Sequence, residues 1–186
     1  MIAYHGTIIT GLEALKPFAN PHSNLTYPCV YLSTNKALAS IYIWEKPYKW
    51  MTFEIAEDGT PVYTESFKGA LVAFYEGVRG CIYTCDGDFT VDENTTIKHA
   101  VIARSAVAVS EIDFVEDAHE RILQYEQEGL LRIHRFETLT DQQKEKNRNM
   151  ILGAIKRFEL LKGEHILSDF AAATFPELWR EAHALL

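Results

Sequence analysis

The chain has 186 residues, 47% of them hydrophobic and 24% charged, an ordinary globular composition rather than that of a disordered chain, and it is long enough for one domain with a sizeable core. Eighteen Lys and Arg against 26 Asp and Glu leave a formal net charge of −8, which argues against nucleic acid as a partner, because phosphate backbones are held by clustered cations. No apolar run approaches the ~20 residues that span a bilayer and no basic-then-apolar leader opens the chain, so the expectation is a cytoplasmic protein that makes no membrane contact.

In chain order, Ile2 to Tyr4 reads as a short strand that delivers His5-Gly6-Thr7 to its end. Leu15 to Tyr27, broken by Pro17 and Pro21, reads as a loop, and a loop between two motifs can cover a site. Cys29 to Leu32 is a strand, after which Ser33 or Thr34 is expected to cap a helix with Leu38, Ile41 and Tyr42 on one face, ending before Pro47. Trp50 to Ile55 alternates as a strand does, Asp58-Gly59 signals a turn, and Val62 to Thr64 supplies the returning arm. Phe67, Ala70, Leu71, Phe74 and Tyr75 recur at helical spacing, with Gly77 or Gly80 as the stop.

Cys81 to Cys85 is the next strand, and Ile97 to Ile102 and Val107 to Val115 are strands or the two halves of one bent strand. After Glu116 the pattern turns helical. A helix over Ala118 to Glu128 stops at Gly129, and Leu130 to Phe136 reads as a strand. Thr140 or Asp141 caps a long helix to about Leu161, and a final helix over Ser168 to Leu185 is interrupted near Pro176. The expected organisation is therefore a domain over 1–115 and a mainly helical C-terminal extension over 116–186, packed on it without a linker. Cys29, Cys81 and Cys85 lack the spacing and partners of a zinc site, so they read as ordinary thiols and no metal is expected.

Two motifs carry the chemistry. In Tyr4-His5-Gly6-Thr7 a neutral imidazole can bond ribose hydroxyls, and a residue without Cβ allows close approach to the backbone. In Val30-Tyr31-Leu32-Ser33, followed by Ala39-Ser40-Ile41-Tyr42, one tyrosine comes from a strand end and the other from the next helix. Both can face one pocket, and aromatic faces stack on flat heterocycles.

Together these segments resemble the nicotinamide-binding signature of the ADP-ribosyltransferase superfamily, of the diphtheria-toxin and poly(ADP-ribose) polymerase type, which is summarised as His-Tyr-Glu. The resemblance covers residues 1–115. It implies an α+β fold, a split antiparallel β-sheet core with flanking helices, here with a helical C-terminal extension. It implies NAD as the substrate, no metal, and transfer of ADP-ribose to an unknown acceptor after cleavage of the nicotinamide–ribose bond. His5 would hold the ribose, Gly6 would pair its backbone with the carboxamide, and Tyr31 and Tyr42 would flank the ring; Thr7 and Ser40, in the same motifs, complete the cofactor-binding set.

The family's glutamate precedes a Val-x-Val segment. Counting back from Val107-Ala108-Val109 puts Lys98 at that position, with His99 one residue on. An ammonium there would disfavour the positive charge that develops on the ribose, which a carboxylate would favour. Glu93 and Glu111 are the carboxylates that could take its place. A non-catalytic protein binding NAD, ADP-ribose or a related nucleotide is the second reading, and an interaction module using the C-terminal helices the third. A relative of RNA 2'-phosphotransferases would share the fold, but the net charge of −8 argues against it.

Overall fold

The computed structural model describes residues 1–19, 25–45, 51–95 and 97–184. The chain divides into two compact units, one comprising Met1–Glu45, Phe53–Tyr63 and Leu71–Ile133, the other Lys46–Thr52, Thr64–Ala70 and His134–Leu186. The first unit therefore runs past the composition change at residue 116.

The first unit is mixed α+β. Its centre is a five-stranded sheet of β1 (Ile2–Thr7), β3 (Val30–Ser33), β6 (Gly80–Asp86), β7 (Ala100–Ala103) and β9 (Glu111–Val115). The order is β7-β3-β1-β6-β9 and every neighbouring pair is antiparallel. The longest register runs from Ile2↔Asp86 to Thr7↔Cys81, so the histidine motif sits on the central strand. Alternate residues of these strands build one core face from Ala3, Val30, Leu32, Tyr83 and Val101, closed by Leu15 and Val107. Leu15 and Val107 come from β2 (Ala14–Leu15) and β8 (Val107–Ala108), which pair with each other. The expected strand over Val107 to Val115 is thus two strands, in different sheets. A third sheet, in the order β10-β5-β4, joins β4 (Met51–Ile55), β5 (Pro61–Glu65) and β10 (Arg132–His134), while Trp50, Pro47 and Pro21 lie outside the described residues.

Helix α1 (Lys36–Ser40) is capped by Asn35, whose Oδ1 accepts the Leu38 N–H at 2.9 Å. Ser33 is not the cap because its hydroxyl accepts the Asn35 N–H at 3.0 Å one step earlier. The helix ends at Ile41, so Tyr42 follows it. Helix α2 (Ala70–Tyr75) starts later than the apolar spacing suggests, since Gly69 sits at φ +77°, a left-handed conformation that breaks the run from Phe67. Helix α3 (Ala118–Gln127) is capped by Asp117, which accepts the N–H of Glu120 at 3.1 Å and that of Gly77 at 2.8 Å. Asp113 of β9 ties α1 to α3 through Lys36 and Arg121, each at 2.7 Å.

The second unit is mainly helical. Helix α4 (Asp141–Arg157) opens on a capping box between Thr140 and Gln143 and buries Ile151 and Ile155. It is shorter than expected, because Glu159 at φ +51° and Gly163 at φ +74° bracket a separate 3₁₀ turn, Leu160–Lys162. Helices α5 (Ser168–Thr174) and α6 (Pro176–Ala184) are broken at Pro176, as the sequence suggests. Phe175 between them packs edge-on against Phe67 at 5.0 Å, and Arg148 pairs with Glu181. Buried Glu65 accepts the Phe136 N–H at 3.1 Å. Among the described residues no helix is long and apolar enough to cross a membrane.

Candidate functional site

Strand β1 meets β3 at Tyr4↔Ser33. One residue on, the His5 side chain reaches back to β3, with Nδ1 2.8 Å from the carbonyl oxygen of Tyr31. A carbonyl only accepts, so Nδ1 carries the hydrogen and Nε2 of the neutral ring is an acceptor. Burial lowers the imidazole pKa and outweighs the opposite pull of the carbonyl, which keeps the ring neutral near pH 7.

A cavity of about 560 Å³ opens beside this contact. Strand β1 lines it with Tyr4, His5, Gly6 and Thr7, and β3 with Tyr31, Leu32 and Ser33. Leu38 and Ala39 of α1 contribute, followed by Tyr42 and Trp44, with Phe53 of β4 beyond them. The Tyr42 ring lies 5.8 Å from Trp44 and 6.1 Å, edge-on, from Phe53. Burial pushes the Tyr42 hydroxyl up to about 12, so it stays protonated across the physiological range. The segment before β7 lines the cavity with Asn94, Thr95 and Ile97, β7 adds Ala100, and Phe18 and Leu25 complete the lining.

Five of the cofactor-binding candidates, His5, Gly6, Thr7, Tyr31 and Tyr42, thus line one cavity. Gly6 has a packing reason of its own. A Cβ built there would stand 1.9 Å from the carbonyl oxygen of Ala39, so a glycine is needed for α1 to approach β1. Thr7 accepts the Ile9 N–H on its hydroxyl at 3.2 Å. Ser40 is elsewhere: it is fully buried in α1, where its hydroxyl donates to the Ala37 carbonyl at 2.7 Å.

The catalytic candidates are not brought to the cavity wall. Lys98 is exposed, although Ile97 and Ala100 on either side of it line the cavity. Glu93 is also exposed and outside the lining. Glu111 is exposed on β9, which β6 separates from β1. His99, at φ +75°, is half-buried and not among the lining residues, with Nε2 2.9 Å from the Gly59 carbonyl and Nδ1 3.2 Å from the Thr34 hydroxyl. Among the described lining residues there is no Asp, Glu, Lys or Arg, and no acidic residue occurs in the sequence at 20–24, 46–50, 96 or 185–186.

Sequence reasoning missed Phe18, Leu25, Trp44, Phe53, Asn94 and Thr95. The Tyr42-x-Trp44 spacing is the one signal that pointed to a wider aromatic cluster. No protein-family model matches the chain, and neither a curated protein nor a solved structure matches it. The cavity is lined mainly by aromatic and aliphatic side chains, with His5 among its polar groups.

Proposed function

We propose that the first unit binds NAD, or a related nucleotide, by its nicotinamide–ribose end, and that the protein is a relative of the ADP-ribosyltransferases. The observation that carries this reading is the His5 Nδ1 contact with the Tyr31 carbonyl beside the aromatic cavity. It fixes a neutral imidazole whose Nε2 suits a ribose hydroxyl, next to tyrosine rings that suit a flat heterocycle. Binding is favoured over transfer, because no carboxylate is among the described lining residues to support positive charge on the ribose.

The test is titration calorimetry with NAD and with ADP-ribose on the full chain and on His5→Ala, paired with prolonged incubation with labelled NAD. Saturable binding lost in His5→Ala supports the reading. Heat from neither ligand sinks it. Release of nicotinamide or labelling of the protein would reinstate ADP-ribosyl transfer as its function.

A further inference from the structure

In the segment between β6 and β7, Asp92 gathers Asn94 and Thr95 through its side chain and its main-chain carbonyl. Asp92 Oδ1 accepts the Asn94 backbone N–H at 2.9 Å and the Asn94 side-chain amide at 3.0 Å. The Asp92 carbonyl accepts the Thr95 N–H at 3.0 Å and the Thr95 hydroxyl at 2.6 Å. From behind, the Tyr27 hydroxyl donates to Asp92 Oδ2, and the Arg104 guanidinium lies 4.3 Å over the Tyr27 ring.

This arrangement decides what Asn94 and Thr95 offer the cavity they line. The Tyr27 hydroxyl and the Asn94 N–H hold the Asp92 carboxyl below its ordinary value, so it acts as an acceptor. An Asn94 amide turned the other way would set its oxygen against that carboxylate, so charge fixes the orientation with Nδ2 toward Asp92 and Oδ1 away from it. The Thr95 hydroxyl hydrogen is spent on the Asp92 carbonyl, which leaves lone pairs. With His5 Nε2, three lining side chains present acceptors, and no described lining residue is a Lys or Arg. A sugar's hydroxyl donors find partners in these three acceptors, whereas no described lining residue supplies a cation for a phosphate's charge.

We propose that Asn94 and Thr95 are specificity-determining residues that read the ribose hydroxyls, with Asp92 and Tyr27 as positioning residues behind them. The inference rests on the nucleotide-binding reading of the same cavity.

The experiment measures binding of NAD, nicotinamide riboside and free nicotinamide by calorimetry and ligand-observed NMR. Asn94→Ala and Thr95→Val should each weaken NAD and the riboside about tenfold while leaving free nicotinamide, which has no hydroxyls, unchanged. Thr95→Ser, which keeps the oxygen, should restore wild-type affinity. Tyr27→Phe should reproduce the selective loss at a smaller size, about threefold. The inference is overturned if Asn94→Ala and Thr95→Val bind NAD as the wild type does, or if they lose free nicotinamide to the same degree. A wild type that binds none of the three overturns the nucleotide reading itself; NAD binding that fails in His5→Ala but survives in Asn94→Ala and Thr95→Val overturns this inference alone.

Discussion

His5 and Tyr31 are joined side chain to main chain: the imidazole Nδ1 stands 2.8 Å from the Tyr31 carbonyl oxygen, which couples the tautomer of the ring to the path of β3. The contact turns a histidine that a sequence alone cannot orient into an acceptor at a known place. It also makes the ring's charge state a property of the fold.

The first prediction concerns pH. Burial holds the folded-state pKa of His5 below 6.5, so as pH falls the unfolded chain takes up the proton first. Stability conferred by this group is complete above pH 6.5, declines as the pH drops below it, and levels off beneath the folded-state value. Urea unfolding between pH 7.5 and 5 should show a decline that His5→Gln flattens. An identical pH dependence in the variant would show that another group is responsible.

Two glycines should respond with opposite signs. At Gly6 a Cβ meets the main-chain oxygen of Ala39 at 1.9 Å, and backbone cannot swing aside as a side chain would. Gly6→Ala should cost about 3 kcal/mol. Gly153 lies within α4 with nothing inside 4 Å of its built Cβ, so Gly153→Ala should gain about 0.5–1 kcal/mol from helix propensity. Denaturant midpoints at one temperature check both.

Asp113 is the acidic partner of two cations. Burial alone would raise its carboxyl pKa, but hydrogen bonds from Arg121 and Lys36 bring it below 3.8. Asp113→Asn keeps the shape and leaves both cations short of charge, at an expected cost of about 1–2 kcal/mol at neutral pH. The stabilisation is present above pH 3.8 and disappears as pH falls through the lowered folded-state value, so wild type and variant should converge in acid. A constant difference down to pH 2 would refute the charge-based account.

Tyr42 separates ring from hydroxyl. If the ring stacks on nicotinamide, Tyr42→Phe should bind NAD close to wild type, while Tyr42→Ala should lose roughly tenfold or more. Equal losses in the two variants would point instead to the hydroxyl. Calorimetry distinguishes the cases, with fluorescence of the neighbouring Trp44 as a second readout.

The central strands were legible because their signals are local. Alternation and the motif positions locate β1, β3 and β6, and Asp58-Gly59 marks its turn, with Gly59 at φ +86°. Proline and glycine likewise mark the break at Pro176 and the ends of α2 and α3. What failed to show depended on competition between close neighbours. Ser33, Thr34 and Asn35 are each good caps, and only the Ser33 hydroxyl's bond to the Asn35 N–H decides for Asn35. Ser40 resembles a site residue in sequence, yet its hydroxyl is absorbed by the preceding turn of its own helix. Half of the cavity was invisible for a different reason: Phe18, Phe53 and Asn94 come from segments far apart in the chain, and no periodicity links them. Lys98, the position expected for a glutamate, lies two residues before β7, and Ile97 and Ala100, not Lys98, line the cavity there.

The two units are interleaved along the chain: the second takes 46–52 and 64–70 from between segments of the first and is completed by residues 134–186. A growing polypeptide thus commits pieces of the second unit long before their partners leave the ribosome. The five-stranded sheet, whose last strand ends at Val115, can assemble first, while the Thr64–Ala70 stretch, with buried Glu65, waits for Phe136 and the final helices. Deleting the C-terminal helices would therefore not yield a clean smaller domain but a chain with stranded apolar segments, prone to capture by chaperones.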